Sequence, residues 1–329
     1  LNPDRAKRLH LPLASLKPSA RLFYAEAMEH RAFGKTGLKV SALGFGGSEI
    51  GYQDASQKVA GKILGAALDA GINVIDTAEC YESSEELIGK TIAHRREEFH
   101  LFTKCGHVTA ALHHLGFHEW DPRLIAKSIE QSLKNLRTDH VDLLQLHSCS
   151  EARLRKGDVI RAIEAAKAAG KTRFIGYSGD SDDAVYAIET GAFDALQISV
   201  SIADQESIDR VLPLARKRGM GVIAKRPVAN AIWLQSRVAS SDYSREYWDR
   251  LKKLNYDFLA KPAADAFATA LRFTLSVPEV HTAIVGTAKP SRIAGNAELA
   301  SSGPMPKAEF DAIRDRWKAV AKPTWFGQE

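Results

Sequence analysis

Eight short apolar runs, alternating with amphipathic helical segments, constrain this chain more than any other feature. They lie at residues 42–45, 73–76, 101–104, 142–146, 173–176, 195–198, 221–224 and 282–285. Their length and branched apolar content suit strands buried on both faces, as in a parallel sheet covered by helices. The intervening segments carry helix signals. Val59, Ile63 and Ala67 share one helical face, Ser83 and Glu86 have the spacing of a capping box, and Asp121-Pro122 opens a helix in which Ile125, Ile129 and Leu133 recur every fourth position. Gly170, Gly191 and Gly219 stand where helices should end. Eight strand-helix units predict α/β architecture in the form of a single (β/α)8 TIM barrel. The alternative, an open doubly wound sheet, would carry a Gly-rich phosphate turn after its first strand, and Gly44-Phe45-Gly46-Gly47 lacks that spacing.

Three additions decorate the barrel. An N-terminal β-hairpin is expected from residues 30–33 and 38–41, which flank the turn Gly34-Lys35-Thr36-Gly37. A helical insertion after the seventh strand, residues 227–260, includes Tyr243, Tyr247 and Trp248 on an expected helix, and a C-terminal helix spans about residues 307–321. Residues 1–27 lack hydrophobic periodicity and contain Pro3, Pro12 and Pro18, so they read as a disordered N-terminal extension, with Met28 a candidate start and 28–329 the barrel domain.

Charge and composition exclude several functions. The chain is 45% hydrophobic and 26% charged, too apolar for intrinsic disorder. Of its formal net charge of +5, the first 27 residues hold +3, and beyond them the basic residues alternate with acids, so no basic stripe suggests nucleic-acid binding. Three cysteines without paired spacing argue against a disulfide framework and point to a reducing compartment, hence a cytoplasmic location. No run approaches the ~18 uncharged apolar residues of a membrane helix. Nothing in the sequence demands assembly, and the oligomeric state is left open, a monomer included.

In such a barrel the chemistry sits at the carboxyl ends of the strands. There the sequence places Asp76 and Tyr81 after the second strand, Lys104 ending the third and His147 ending the fourth. An acid, a phenol, an amine and an imidazole delivered to one mouth make a proton-transfer set, although singly each has a plainer reading as a cap, a packed ring or a satisfied polar group.

These residues lie in motifs that resemble the aldo-keto reductase superfamily: GKTGLKVSALGFGG, INVIDTAECYESSEELIGK, LFTKCG, DLLQLH, FIGYSG and VGTAKPSRIAGNAE, in the family's order from about residue 30 to 300. The resemblance implies a barrel that reduces aldehydes and ketones with a nicotinamide cofactor, with Tyr81 as the acid and Lys104, Asp76 and His147 assisting. It puts Ser178 and Gln197 at the nicotinamide carboxamide, and Gly286, Thr287, Lys289, Arg292 and Asn296 around the adenosine phosphates. Arg292 matches the family's 2′-phosphate arginine, which favours NADPH over NADH. The implied partner is a small-molecule carbonyl substrate, and no metal is required.

The departures are specific. Gly179-Asp180 follows Ser178 where many members carry Asn, and Ala224-Lys225-Arg226-Pro227 stands where many stack an aromatic ring on the nicotinamide. Lys225 or Arg226 lies beside the cofactor's pyrophosphate or points into solvent, and Gly295 replaces a common adenine-binding acid. Cys80, Cys105 and Cys149 fall near the expected mouth, as structural filler in the plainer reading and a redox switch or metal site in the other. His113, His118, Trp120, Trp233 and Trp248 are candidates for substrate-facing positions. Two rivals follow: a regulatory module that holds the nucleotide with little turnover, and a metal-dependent barrel hydrolase.

Overall fold

The computed structural model describes residues 28–328, and the expected disordered extension over residues 1–27 lies outside them. Eight parallel strands close into one barrel in the order β10-β3-β4-β5-β6-β7-β8-β9. They are β3 (Leu43–Gly46), β4 (Val74–Asp76), β5 (His100–Cys105), β6 (Val141–His147), β7 (Thr172–Ser178), β8 (Ala195–Ser199), β9 (Gly221–Lys225) and β10 (Thr282–Gly286). Each overlaps one of the eight apolar runs, so the barrel expected from the sequence is the fold observed.

The hairpin ahead of the barrel, β1 (His30–Ala32) paired antiparallel with β2 (Lys39–Ser41), closes one end. Its Phe33, Leu38 and Val40 pack with Val74, Phe102, Leu143, Ala195 and Ile223 inside the barrel, and Phe33 stacks on Phe102 with ring centroids 5.6 Å apart. The turn comes so close to the barrel that a side chain on Gly34, already at φ +54°, would lie 2.4 Å from the Gly221 nitrogen. With the amino ends of the strands plugged, the carboxyl ends are left as the mouth.

The larger core lies between strands and helices. Helix Gln57–Asp69 buries Ile63, Leu64 and Ala67 there, while Val59 is half-buried at its edge. Asp121 caps helix Pro122–Leu136 by accepting from the Arg123 nitrogen at 2.8 Å, as the Asp-Pro pair predicts.

Two local expectations fail. The Ser83–Glu86 capping box does not form, because Glu82 takes φ +45° and the tight turn leaves Ser83 at φ −82°, ψ 1°, without a capping hydrogen bond. Ser84 takes over the tether, donating to the Gly47 carbonyl at 2.8 Å, and Glu86 pairs with Lys90 instead. In the insertion after β9, Tyr247 and Trp248 lie on helix Arg245–Leu254, but Tyr243 precedes it in a loop, where its hydroxyl accepts from Asn230 at 2.7 Å. The C-terminal helix, Lys307–Val320, packs on this insertion through Arg316, which donates to the Leu254 carbonyl at 2.6 Å. No helix among the described residues is long and apolar enough to cross a membrane.

Helix Ser84–Ile92 carries a buried acid. Glu85 accepts from Thr103 Oγ1 at 2.7 Å and Asn135 Nδ2 at 3.3 Å, and burial pushes its carboxyl up to about 7 against those donors. A carboxyl raised on folding contributes stability that is full below its unfolded value and lost as pH rises through the folded one. Glu85→Gln, which removes the buried charge, is therefore expected to stabilise the protein by roughly 3 kcal/mol above pH 7 and by little near pH 4. Denaturation midpoints of the variant and the parent across that range check this, and a difference independent of pH would contradict it.

Candidate active site

Asp76 ends β4 and Lys104 lies one residue before the end of β5, so neighbouring strands bring them to the mouth together. Both side chains are 1% exposed, with Lys104 Nζ 2.6 Å from Asp76 Oδ2 and 2.8 Å from the Thr77 carbonyl. Gln145 and Gln197 add amide donors to the same carboxylate at 3.3 and 3.4 Å. Burial works to lower Lys104, but Asp76 more than offsets it, so the ammonium is held above its usual value.

Tyr81 sits in the loop between β4 and helix Ser84–Ile92, its nitrogen bonded to the Ala78 carbonyl at 3.0 Å. The loop lies against Gly51, where a Cβ would stand 2.1 Å from the Tyr81 carbonyl oxygen. This close approach holds the phenol over Lys104, whose Nζ is 5.0 Å from the ring centroid. Burial raises the phenol above its usual value and Lys104 draws it back. Tyr81 is thus protonated at neutral pH, with a cation below it to stabilise its anion.

His147 ends β6 and meets Tyr81 edge to face at 5.8 Å between ring centroids. Burial, followed by the charges of Lys104, His107, Lys225 and Arg226, lowers it well below the usual histidine range, so the ring is neutral at pH 7. Cys80 Sγ lies 3.4 Å from its Nδ1, and Trp120 Nε1 donates to its carbonyl at 3.0 Å.

Strand register extends the site sideways. His147 of β6 faces Ser178 of β7, which faces Gln197 of β8. Gln197 Oε1 is buried without a hydrogen-bond partner, an acceptor left open among the described residues.

Lys225 and Arg226 turn into the mouth and not to solvent. Lys225 Nζ pairs with Asp180 Oδ2 at 2.8 Å, and Asp180 also accepts from the Ser199 nitrogen at 2.8 Å and Oγ at 3.1 Å. Arg226 donates to Ser199 Oγ at 3.1 Å and to the Gln328 carbonyl, while Arg250 holds the Phe326 carbonyl at 2.7 Å, so the C-terminal tail lies against this side of the mouth.

The residues expected around adenosine phosphates lie along one rim. Gly286 ends β10, and a side chain there would collide with the Glu49 carboxylate and come 2.8 Å from the Gly46 carbonyl oxygen. Thr287 is buried and its hydroxyl accepts from the Lys289 nitrogen at 3.0 Å. Lys289 and Arg292 are exposed, with no ion pair among the described residues, and Asn296 is half-buried in helix Ser291–Ser301. A Cβ at the exposed Gly295 would meet nothing within 4 Å.

The model of the aldo/keto reductase family matches residues 42–318, on top of this geometry. The chain belongs to the aldo-keto reductase family. It is 28% identical over 317 residues to the L-galactose dehydrogenase of Arabidopsis thaliana, covering 91% of this chain and 97% of that protein. It is 29% identical to a D-threo-aldose 1-dehydrogenase from a Pseudomonas species, covering 80% and 91%. Among solved structures, the holo form of an aldo-keto reductase from Bacillus halodurans superposes with a TM-score of 0.77 at 25% identity, covering 90% of this chain and 99% of that one. Like its family, this aldo-keto reductase is an oxidoreductase on a barrel.

His113 and His118 are exposed, and Trp248 is engaged on its own helix, between Arg245 and Lys252, donating to the Gln235 carbonyl at 3.0 Å. Trp233 packs half-buried against the core. Cys105 and Cys149 are buried and Cys80 is half-buried; burial raises Cys105 and pushes Cys80 up to about 11 and Cys149 to about 12, so these thiols stay protonated at neutral pH. Among the described residues no group of three His, Cys, Asp or Glu side chains could hold a metal ion.

Sequence reasoning missed two neighbours. His107 packs edge to face on His147 at 4.8 Å between ring centroids, and Glu79 is buried beside Cys80 with Oε1 accepting from Thr109 at 3.0 Å. Their only signal was position, two residues beyond Cys105 and two before Tyr81.

Proposed function

We propose that this chain reduces the carbonyl of an aldehyde or ketone with NADPH, using residues 28–329 as one domain. The observation that carries the reading is the buried Asp76–Lys104 pair set beneath the Tyr81 ring, with a neutral His147 at its edge. When bound, the cofactor supplies the hydride, and the protein contributes position, charge and a proton.

Tyr81 donates its phenolic proton to the carbonyl oxygen as that oxygen gains negative charge. Lys104 stabilises the phenolate left behind, and Asp76 fixes the ammonium in place. His147, neutral, donates a hydrogen bond to the same oxygen and orients it. Because burial keeps Tyr81 protonated, the resting site is set for reduction; alcohol oxidation requires the phenolate.

The open Gln197 acceptor and the Ser178 hydroxyl on the adjoining strand suit a carboxamide, which offers both donors and an acceptor. Arg226 and Lys225 would face the pyrophosphate, with Gly286 and Thr287 along the phosphate rim. Arg292, with Lys289 nearby, would take the 2′-phosphate and Asn296 the adenine. Two relatives are named as sugar dehydrogenases, which makes aldoses the first substrates to try beside simple aldehydes and ketones.

Fluorescence titration with NADPH and NADH tests the cofactor assignment. NADPH is expected to bind more tightly, and Arg292→Ala to weaken it by roughly 10- to 100-fold while leaving NADH nearly unchanged, as loss of a charge-assisted pair predicts. Equal weakening of both nucleotides would refute the 2′-phosphate role.

A further inference from the structure

The two nitrogens of a neutral imidazole do opposite things. The one bearing hydrogen donates, the other accepts, and the partner of one nitrogen decides the state of the other. To bond to a carbonyl oxygen, His147 must carry its hydrogen on the nitrogen that faces the substrate. The reverse tautomer would set a lone pair against the oxygen's lone pairs.

Only Nδ1 has a polar partner among the described residues, and that partner is Cys80 Sγ at 3.4 Å. The other close neighbours, Tyr81 and His107, meet the imidazole ring to ring at 5.8 and 4.8 Å. Cys80 is itself held in place. It lies between Glu79, whose nitrogen bonds the Lys104 carbonyl at 3.4 Å, and Tyr81, and its own carbonyl accepts from Tyr52 at 3.2 Å. We propose that Cys80 is a positioning residue for His147, its S–H donating to Nδ1 so that the imidazole is fixed as the Nε2–H tautomer. This rests on the role given to His147 above. A thiolate would do the opposite, by drawing the hydrogen to Nδ1. Burial keeps the thiol protonated up to about pH 11, which secures the donor.

The assignment accounts for a thiol immediately before the catalytic tyrosine without redox chemistry. It also separates Cys80 from Cys105 and Cys149, whose sulfurs lie against the backbone carbonyls of Gln145 and Ser150 at 3.6 and 4.0 Å.

The test uses the whole chain labelled with 15N-histidine. In the parent, the two nitrogens of His147, assigned by comparison with a His147→Gln variant, are expected to resonate as an unprotonated Nδ1 and a protonated Nε2. Cys80→Ala should shift both toward a mixture of tautomers, whereas Cys80→Ser, which keeps a donor, should restore the parent pattern. In steady state, Cys80→Ala should lower kcat by roughly five- to tenfold with NADPH affinity unchanged, and Cys80→Ser should recover most of it. A parent His147 protonated on Nδ1, or a tautomer unmoved by Cys80→Ala, would overturn the proposal. The resonances report on the pair even if no carbonyl is reduced, so failure of the reductase reading and failure of this one are distinguishable.

Discussion

Tyr81→Phe is expected to lower carbonyl reduction by about a hundred- to ten-thousandfold while leaving NADPH affinity and fold stability close to those of the parent. The substitution deletes one hydroxyl and almost no volume. It keeps the ring that packs against Tyr52 and over Lys104, at 5.7 Å between centroids and 5.0 Å from Nζ. What it removes is the proton that the developing alkoxide requires. His147 cannot replace it, because a neutral imidazole is a far weaker acid than the cation, and burial together with the surrounding positive charges keeps it neutral. Rates from cofactor consumption, with binding measured separately, check the split; a fall in affinity equal to the fall in rate would point to a disturbed cofactor site.

Lys104→Met is expected to damage both rate and stability, and the combination marks it out from Tyr81→Phe. Lys104 is the ion-pair partner of a carboxylate that is 1% exposed. Removing it leaves Asp76 with the Gln145 and Gln197 amides at 3.3 and 3.4 Å, which solvate a charge incompletely. Breaking a buried pair from one side costs about 3–5 kcal/mol, and the two amides place this case at the lower end. Turnover should also fall by orders of magnitude, since the phenolate formed from Tyr81 loses the cation beneath it. Asp76→Asn with Lys104→Met should recover much of the stability and none of the activity. Denaturant midpoints and rates on the same preparations test both halves, and an undiminished midpoint for the single variant would contradict the buried-pair argument.

Much of this was legible along the chain. The short apolar runs have the length and content of strands buried on both faces, and the strand ends placed Asp76, Lys104 and His147 at one mouth. The failures share a physical cause: sequence pattern reports what a residue needs locally and is silent on what it meets across the barrel. Ser83 has capping-box spacing, yet the φ of Glu82 turns it away from the cap. Asp180 and Lys225 read as two separate departures from the family pattern, but they form one ion pair across 45 positions at 2.8 Å. The Cys80–His147 contact likewise joins the loop after β4 to the end of β6.

The most direct test of the central claim is a stopped-flow single turnover of the NADPH-loaded protein against a panel of aldehydes, ketones and aldoses, in the parent and in Tyr81→Phe. The account predicts oxidation of one equivalent of NADPH per alcohol formed on at least one carbonyl, nearly abolished in the variant although it binds NADPH as tightly. Tight binding without oxidation across the panel, or equal rates in parent and variant, would contradict it.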